Sequence, residues 1–182
     1  MPAPEETRDM KTRRRILVLA ALALPFAARG QQKCIDLTPD DVEGPFYKAG
    51  APVRSSLVDP ASKADKLVLS GIVSGSDCRP LANVALDFWH ADERGEYDNA
   101  GFRYRALLRT DAQGRYRLET NLPPPYSGRP RHIHVKLQPP GGKVLTTQLY
   151  FPGESRGADR ALVVKMERAG TGRIASYDFV LL

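Results

Sequence analysis

From residue 66 onward the chain is a series of short apolar runs, each stopped by glycine or proline, and this punctuation leaves no room for long helices. The runs 66–74, 84–90, 114–120, 132–137 and 144–151 are rich in Val, Leu, Ile, Thr and aromatic residues, and a closing run spans 176–182. Between them stand turn formers: Gly75, Pro80, Gly95, Gly114, the Pro123-Pro124-Pro125 run and Gly141-Gly142. Proline lacks the amide donor a helix or ladder needs, and glycine supplies the positive φ of tight turns, so the spacing predicts an all-β sandwich of mostly antiparallel strands with long loops. Residues 159–165 alone suggest one or two helical turns. Residues 37–60, rich in Pro, Gly and Asp, read as an extended N-terminal arm lying over the sandwich. No repeat or linker divides the chain after residue 30, so 31–182 is expected to be one domain.

Residues 1–30 read differently. Thr12-Arg13-Arg14-Arg15 runs into an apolar stretch over 16–24 and then the small residues Ala27-Ala28, the order of a basic n-region, a short h-region and a cleavage zone. The stretch is too short to span a bilayer comfortably. It predicts an export signal over 1–30, of a pattern that resembles the twin-arginine type, a periplasmic or extracellular mature chain, and no stable membrane insertion once the leader is removed. Half of the formal charge of +6 lies in those 30 residues. What remains is spread thinly, which argues against a nucleic-acid partner.

Export would place the two cysteines, Cys34 and Cys78, in an oxidising compartment, where the one available pairing is a Cys34–Cys78 disulfide.

Chemistry concentrates in Pro123-Pro-Pro-Tyr-Ser-Gly-Arg-Pro-Arg-His-Ile-His134. On a strand, residues two apart share a face, so His132 and His134 present both imidazoles on one side. Such a pair alone is as compatible with packing as with a metal. Its weight comes from the fact that the chain has three histidines and two of them are here. No cysteine has zinc-type spacing and no carboxylate lies beside the pair, which disfavours a zinc hydrolase and a two-His-one-carboxylate iron(II) site. Tyr126 and Tyr97 are the remaining donors. A phenol with a pKa near 10 ligates only a cation acidic enough to remove its proton, and two His with two Tyr would mean iron(III).

Several further pieces stand in order: Gly44-Pro-Phe-Tyr47, Phe88-Trp-His-Ala-Asp92, Gly95-Glu-Tyr-Asp98, Thr110-Asp-Ala-Gln-Gly-Arg-Tyr116, Tyr126-Ser-Gly-Arg-Pro-Arg-His-Ile-His134 and Thr146-Thr-Gln148. Together they resemble the intradiol ring-cleavage dioxygenases, of the protocatechuate 3,4-dioxygenase-like, secreted single-domain branch. That resemblance implies a non-haem Fe(3+) cofactor ligated by Tyr97, Tyr126, His132 and His134. It implies a site arginine at Arg129 and a site glutamine at Gln148, with Tyr126 as the ligand that departs when substrate binds. It also implies cleavage of a catechol-type ring by O2 between the hydroxyl-bearing carbons, giving a cis,cis-muconate, as part of aromatic compound catabolism. Glu154 stands where an Asp is common. The helical N-terminal region that the catechol-cleaving branch uses for dimerisation has no counterpart after the leader, and a homo-oligomer remains compatible with the sequence.

Other residues read as bland. His90 is expected to be structural and Arg131 a solvated strand residue. Arg54, Arg103 and Arg105 are candidates to pair with a carboxylate on the substrate. The competing class is a non-catalytic secreted β-sandwich binding module. A secreted hydrolase using Ser127 lacks a placed acid.

Overall fold

The computed structural model describes Met1, residues 36–153 and residues 159–182. The export-signal reading of 1–30, Cys34 and Glu154 lie outside the described residues. Nine strands are described: β1 (Lys66–Gly75), β2 (Ala85–Trp89), β3 (Arg105–Arg109), β4 (Arg115–Asn121), β5 (His132–Gln138), β6 (Leu145–Tyr150), β7 (Lys165–Ala169), β8 (Gly172–Ser176) and β9 (Phe179–Leu181). They form two sheets. One runs β4-β1-β8-β7 with β9 also on β1, and the other runs β3-β2-β5-β6. All pairings are antiparallel except β1 with β8 and β1 with β9, so the expected all-β sandwich holds.

Alternation along the strands packs the two sheets together. Leu86 and Phe88 of β2, Ile133, Val135 and Leu137 of β5 and Leu149 of β6 meet Leu67, Leu69 and Val73 of β1, Leu118 of β4 and Phe179 of β9 in one buried cluster. The alternate residues of β2, β5 and β6 therefore face outward, and residues 36–60 cover them as the expected arm. Thr147 Oγ1 donates to Pro39 O, Asp41 N to Thr146 O, and Tyr150 Oη to Asp41 Oδ2. Further along, Tyr47 Oη donates to Asp87 Oδ2 at 3.1 Å and Lys136 pairs with Glu43.

Three strands were not read from sequence. β3 begins and ends on arginine, which conceals its apolar Ala106 and Leu108; β7 and β8 form a polar, largely exposed hairpin whose order comes from its ladder to β1. The expected closing strand is interrupted. Its first residue, Ser176, ends β8, and the chain resumes as β9 only at Phe179, with Tyr177 and Asp178 bulging between. Of the helical turns expected over 159–165, one 3-10 turn forms at Arg160–Leu162, capped by the Asp159 side chain accepting from Ala161 N. In the turn between β1 and β2, Cys78 has a φ of 63° and is disulfide-bonded. Because Cys34 lies outside the described residues, the Cys34–Cys78 pairing stays a proposal.

Candidate metal centre

His132 and His134 open β5 on its outward face, and Trp89 of β2 and Gln148 of β6 are the direct cross-strand neighbours of His134. Two loops bring the phenols to this row. After the proline run, Tyr126-Ser127-Gly128-Arg129 closes a two-residue turn, with Arg129 N donating to Tyr126 O at 2.8 Å and positive φ at Ser127 (50°) and Gly128 (72°). That is the pattern of a type I′ turn, and it sets Tyr126 and Arg129 side by side. The second loop follows β2. Gly95, at φ 81°, lies so close to Tyr126 that a Cβ there would stand 2.6 Å from the tyrosine Cβ. Two residues on, Tyr97 is stacked beneath Phe46 of the arm, with centroids 4.5 Å apart.

The four side chains expected from sequence converge. Tyr97 Oη lies 2.9 Å from Tyr126 Oη, which lies 3.1 Å from His132 Nε2. His132 Nδ1 stands 2.7 Å from the carbonyl of Pro130, which can only accept. Nδ1 therefore carries the proton, and the Nε2 lone pair faces the phenols. The His134 ring is 4.9 Å from that of His132 and 6.1 Å from that of Tyr97. Arg129 Nη2 donates to Gln148 Oε1 at 2.7 Å, and Gln148, fully buried, passes its own Nε2–H to Val42 O of the arm at 2.8 Å. A cavity of about 630 Å³ opens over the cluster, walled by Gly44, Phe46, Tyr97, Tyr126, Arg129 and His134.

Burial shapes the electrostatics. It pushes the His132 imidazolium down to about 4; burial, together with the cost of a second charge beside His132 and Arg129, pushes His134 down to about 2. Both rings are neutral and keep a lone pair for a metal. Tyr97 is held well above the ordinary phenol value by burial and by its hydrogen bond to Tyr126. It ionises only if a strongly acidic cation displaces its proton. Among the described residues no group of three or more His, Cys, Asp or Glu is placed to hold a metal, and the donors that stand beside the two histidines are the phenols of Tyr97 and Tyr126. Two neutral imidazoles and two phenols suit a hard trivalent ion.

The remaining expectations divide. His90 is structural as read, its ring nitrogens 2.7 Å from Ala91 O and Thr120 Oγ1. Arg54, Arg103 and Arg105 are committed elsewhere. Arg54 donates to Phe102 O and Arg105 O, Arg103 pairs with Asp59, Asp92 and Glu93, and Arg105 donates to Phe46 O and Asp98 O. None of the three lines the cavity. Arg131 is half-buried rather than solvated, because it joins Asp65, Glu93 and Arg173 around a separate cavity of about 390 Å³. Ser127 has no histidine to activate it, since His132 uses one ring nitrogen on Pro130 and turns the other to Tyr126. Sequence reasoning missed Phe46, Trp89 and Gly95 as parts of the site. Gly95, two residues before Tyr97, was legible as a turn former and as part of the Gly95-Glu-Tyr-Asp98 piece, but not as the residue that makes room for Tyr126.

The family model described as "Dioxygenase" matches residues 42–181. The chain belongs to the intradiol ring-cleavage dioxygenase family. Catechol 1,2-dioxygenase 2 of Acinetobacter lwoffii is 36% identical over 143 residues, covering 64% of this chain and 52% of that protein. Chlorocatechol 1,2-dioxygenase of Pseudomonas putida is 30% identical over 172 residues, covering 81% and 66%. This intradiol dioxygenase chain spans about half the length of the first of these relatives. Among solved structures, the dioxygenase domain of a dioxygenase and carbohydrate-binding protein fusion from Streptomyces sp. SirexAA-E superposes with a TM-score of 0.78 at 50% identity, covering 80% of this chain and 98% of that one. The 3-chlorocatechol 1,2-dioxygenase of Rhodococcus opacus 1CP gives 0.71 at 28% identity, covering 78% and 71%.

Proposed function

We propose that the protein is a non-haem iron(III) dioxygenase that opens a catechol-type ring between its two hydroxyl-bearing carbons. The observation that carries this reading is the run Tyr97 Oη, Tyr126 Oη, His132 Nε2, at 2.9 and 3.1 Å, under an open cavity with His134 at its side. Family membership and the catechol and chlorocatechol dioxygenases among the relatives support it. Tyr97, Tyr126, His132 and His134 would hold the iron. When bound, ferric iron supplies chelation of the catechol dianion and withdraws electron density from the ring so that O2 can attack it.

The chain's own groups do the rest. Tyr126 Oη, hydrogen-bonded to Tyr97 Oη and His132 Nε2, would give up its proton on holding the metal, and as a phenolate it would accept one from the incoming catechol and swing aside on its turn. Tyr97, wedged under Phe46, stays. Arg129, held by Gln148 and through it by the arm, keeps a fixed cation at the cavity wall, where negative charge accumulates on the substrate. Pro45 and Phe46 of the arm form part of the cavity wall. The ring C–C bond breaks, both atoms of O2 enter the product, and a cis,cis-muconate leaves.

The test is oxygen uptake by the iron-loaded protein with catechol, protocatechuate, hydroxyquinol and lignin-type catechols. One O2 per ring opened is expected with at least one of them, and no uptake with any would overturn the assignment. We also propose that residues 1–30 direct export to the periplasm or beyond by the twin-arginine route. Changing Arg13 and Arg14 to Lys should leave folded precursor in the cytoplasm. Undiminished export of that variant would assign the general pathway instead.

A further inference from the structure

A histidine that ligates a metal ordinarily donates its other ring N–H to a carbonyl, carboxylate or water, and this bond fixes the plane of the ring. His132 obeys, through Nδ1 and the Pro130 carbonyl at 2.7 Å. His134 does not. Its Nδ1 is buried and has no hydrogen-bond partner among the described residues. The ring lies instead flat against the indole of Trp89, with centroids 4.8 Å apart and planes 7° from parallel.

The contact follows from the sheet. Trp89 and His134 are direct partners in the β2–β5 ladder, where side chains on one face stand closest, and both are almost fully buried. Trp89 is braced in turn. Tyr47 of the arm packs on it at 5.0 Å and 59°, pinned by the hydroxyl's bond to Asp87 and by Lys136 Nζ 3.8 Å over the phenol ring. From the arm, Gly44 comes so near His134 that a Cβ there would lie 3.4 Å from Cε1. Rotation about the Cβ–Cγ bond is soft in histidine, so a ring without a hydrogen bond needs some other restraint. Turning the imidazole out of its plane here would drive it into the indole.

We propose that Trp89 is a positioning residue for His134, fixing the plane of this imidazole by stacking where other ligating histidines use a hydrogen bond. The proposal rests on His134 being a metal ligand. It assigns Trp89 no contact with substrate or metal.

Two substitutions of similar bulk separate the plane of the ring from mere packing. Trp89→Phe keeps an aromatic face. Trp89→Met fills the space with a flexible chain. Iron retention by the full chain against a chelator, and the visible tyrosinate-to-iron band, are measured for the parent and both variants, and the metal-free melting temperatures report the fold. Trp89→Met is expected to hold iron about tenfold more weakly or worse, with a shifted band, the range seen when such supporting groups are lost, while Trp89→Phe stays close to the parent. Equal retention by parent and Met variant, or equal loss in both variants with intact melting, overturns the proposal. Folding of the variants is not the sole arbiter, because Trp89 is the only tryptophan in the chain. Iron loading of the parent should quench its fluorescence. Unchanged emission on binding one iron per chain overturns the stacking role and leaves the metal site standing, whereas a parent that binds no iron removes both.

Discussion

Tyr97 and Tyr126 are the same amino acid in different seats. Tyr97 is stacked under Phe46 and belongs to a loop whose carboxylate hub, Asp98, accepts from the backbone of Ala100, Gly101 and Arg103. Tyr126 sits on a tight turn, backed by a glycine. Ser127-Gly128 beside it close a hydrogen-bonded turn, so the proposed departure of Tyr126 would use rotation of its side chain rather than a loose loop. Tyr126→Phe is expected to keep iron while turnover falls on the order of 10²-fold, as for loss of a general base. Tyr97→Phe should instead lower the iron content itself. Metal analysis beside steady-state rates separates the two, and parental turnover in Tyr126→Phe would remove that residue from the proton-accepting role. Both histidines were legible in sequence because a strand places residues two apart on one face. Trp89 was not, since its partner across the ladder lies 45 residues away and only register brings them together.

The elements divide the work between the two sheets. The β3-β2-β5-β6 sheet carries the proposed metal ligands His132 and His134 on its outer face, and the other sheet buries the back of it. In that second sheet the interruption between β8 and β9 depends on Gly71 of β1. Tyr177 turns its carbonyl over that glycine, Tyr177 N donates to Ser70 O, and Ile72 N is capped by Asp178 Oδ1. A Cβ on Gly71 would stand 1.8 Å from Tyr177 O. Gly71→Ala is therefore expected to destabilise the protein by at least about 1–3 kcal/mol, read as a lower urea midpoint, because backbone must move to admit the methyl. A midpoint equal to the parent's would mean that the bulge yields freely. The arm acts as an element too. It places Phe46 on Tyr97 and Tyr47 on Trp89, and it receives the Gln148 amide, so its removal would act on the site as well as on the core.

At the scale of the whole molecule, all three histidines are held neutral by burial, His90 and His132 down to about 4 and His134 to about 2, from an ordinary 6.5. Unfolded histidines take up protons as the pH falls below about 6.5, whereas the folded ones do not until about 4 or lower. The metal-free protein should thus lose stability between pH 6.5 and 4, by up to about 1.4 kcal/mol per unit for each histidine. Urea midpoints at pH 7, 5.5 and 4.5 measure this, and a flat profile would mean that the rings are not shielded. The proposed Cys34–Cys78 bridge predicts that exported protein is two hydrogens lighter by mass than its reduced form and that reduction costs about 2–4 kcal/mol of stability. Two free thiols would exclude it. The sequence by itself determined the β class, the arm, the paired histidines on one strand face and, through a resemblance spread over many short motifs, the family. These depend on local periodicity, turn chemistry and residue type, all of which act over a few neighbours. Tertiary structure alone decided that the arginines offered as substrate partners bond to backbone carbonyls and carboxylates away from the cavity, that the runs 165–169 and 172–176 are strands, and that His134 leans on Trp89. Each of those outcomes is set by which strand lies beside which, and hydrogen-bonded register between distant segments leaves no mark in either segment read alone.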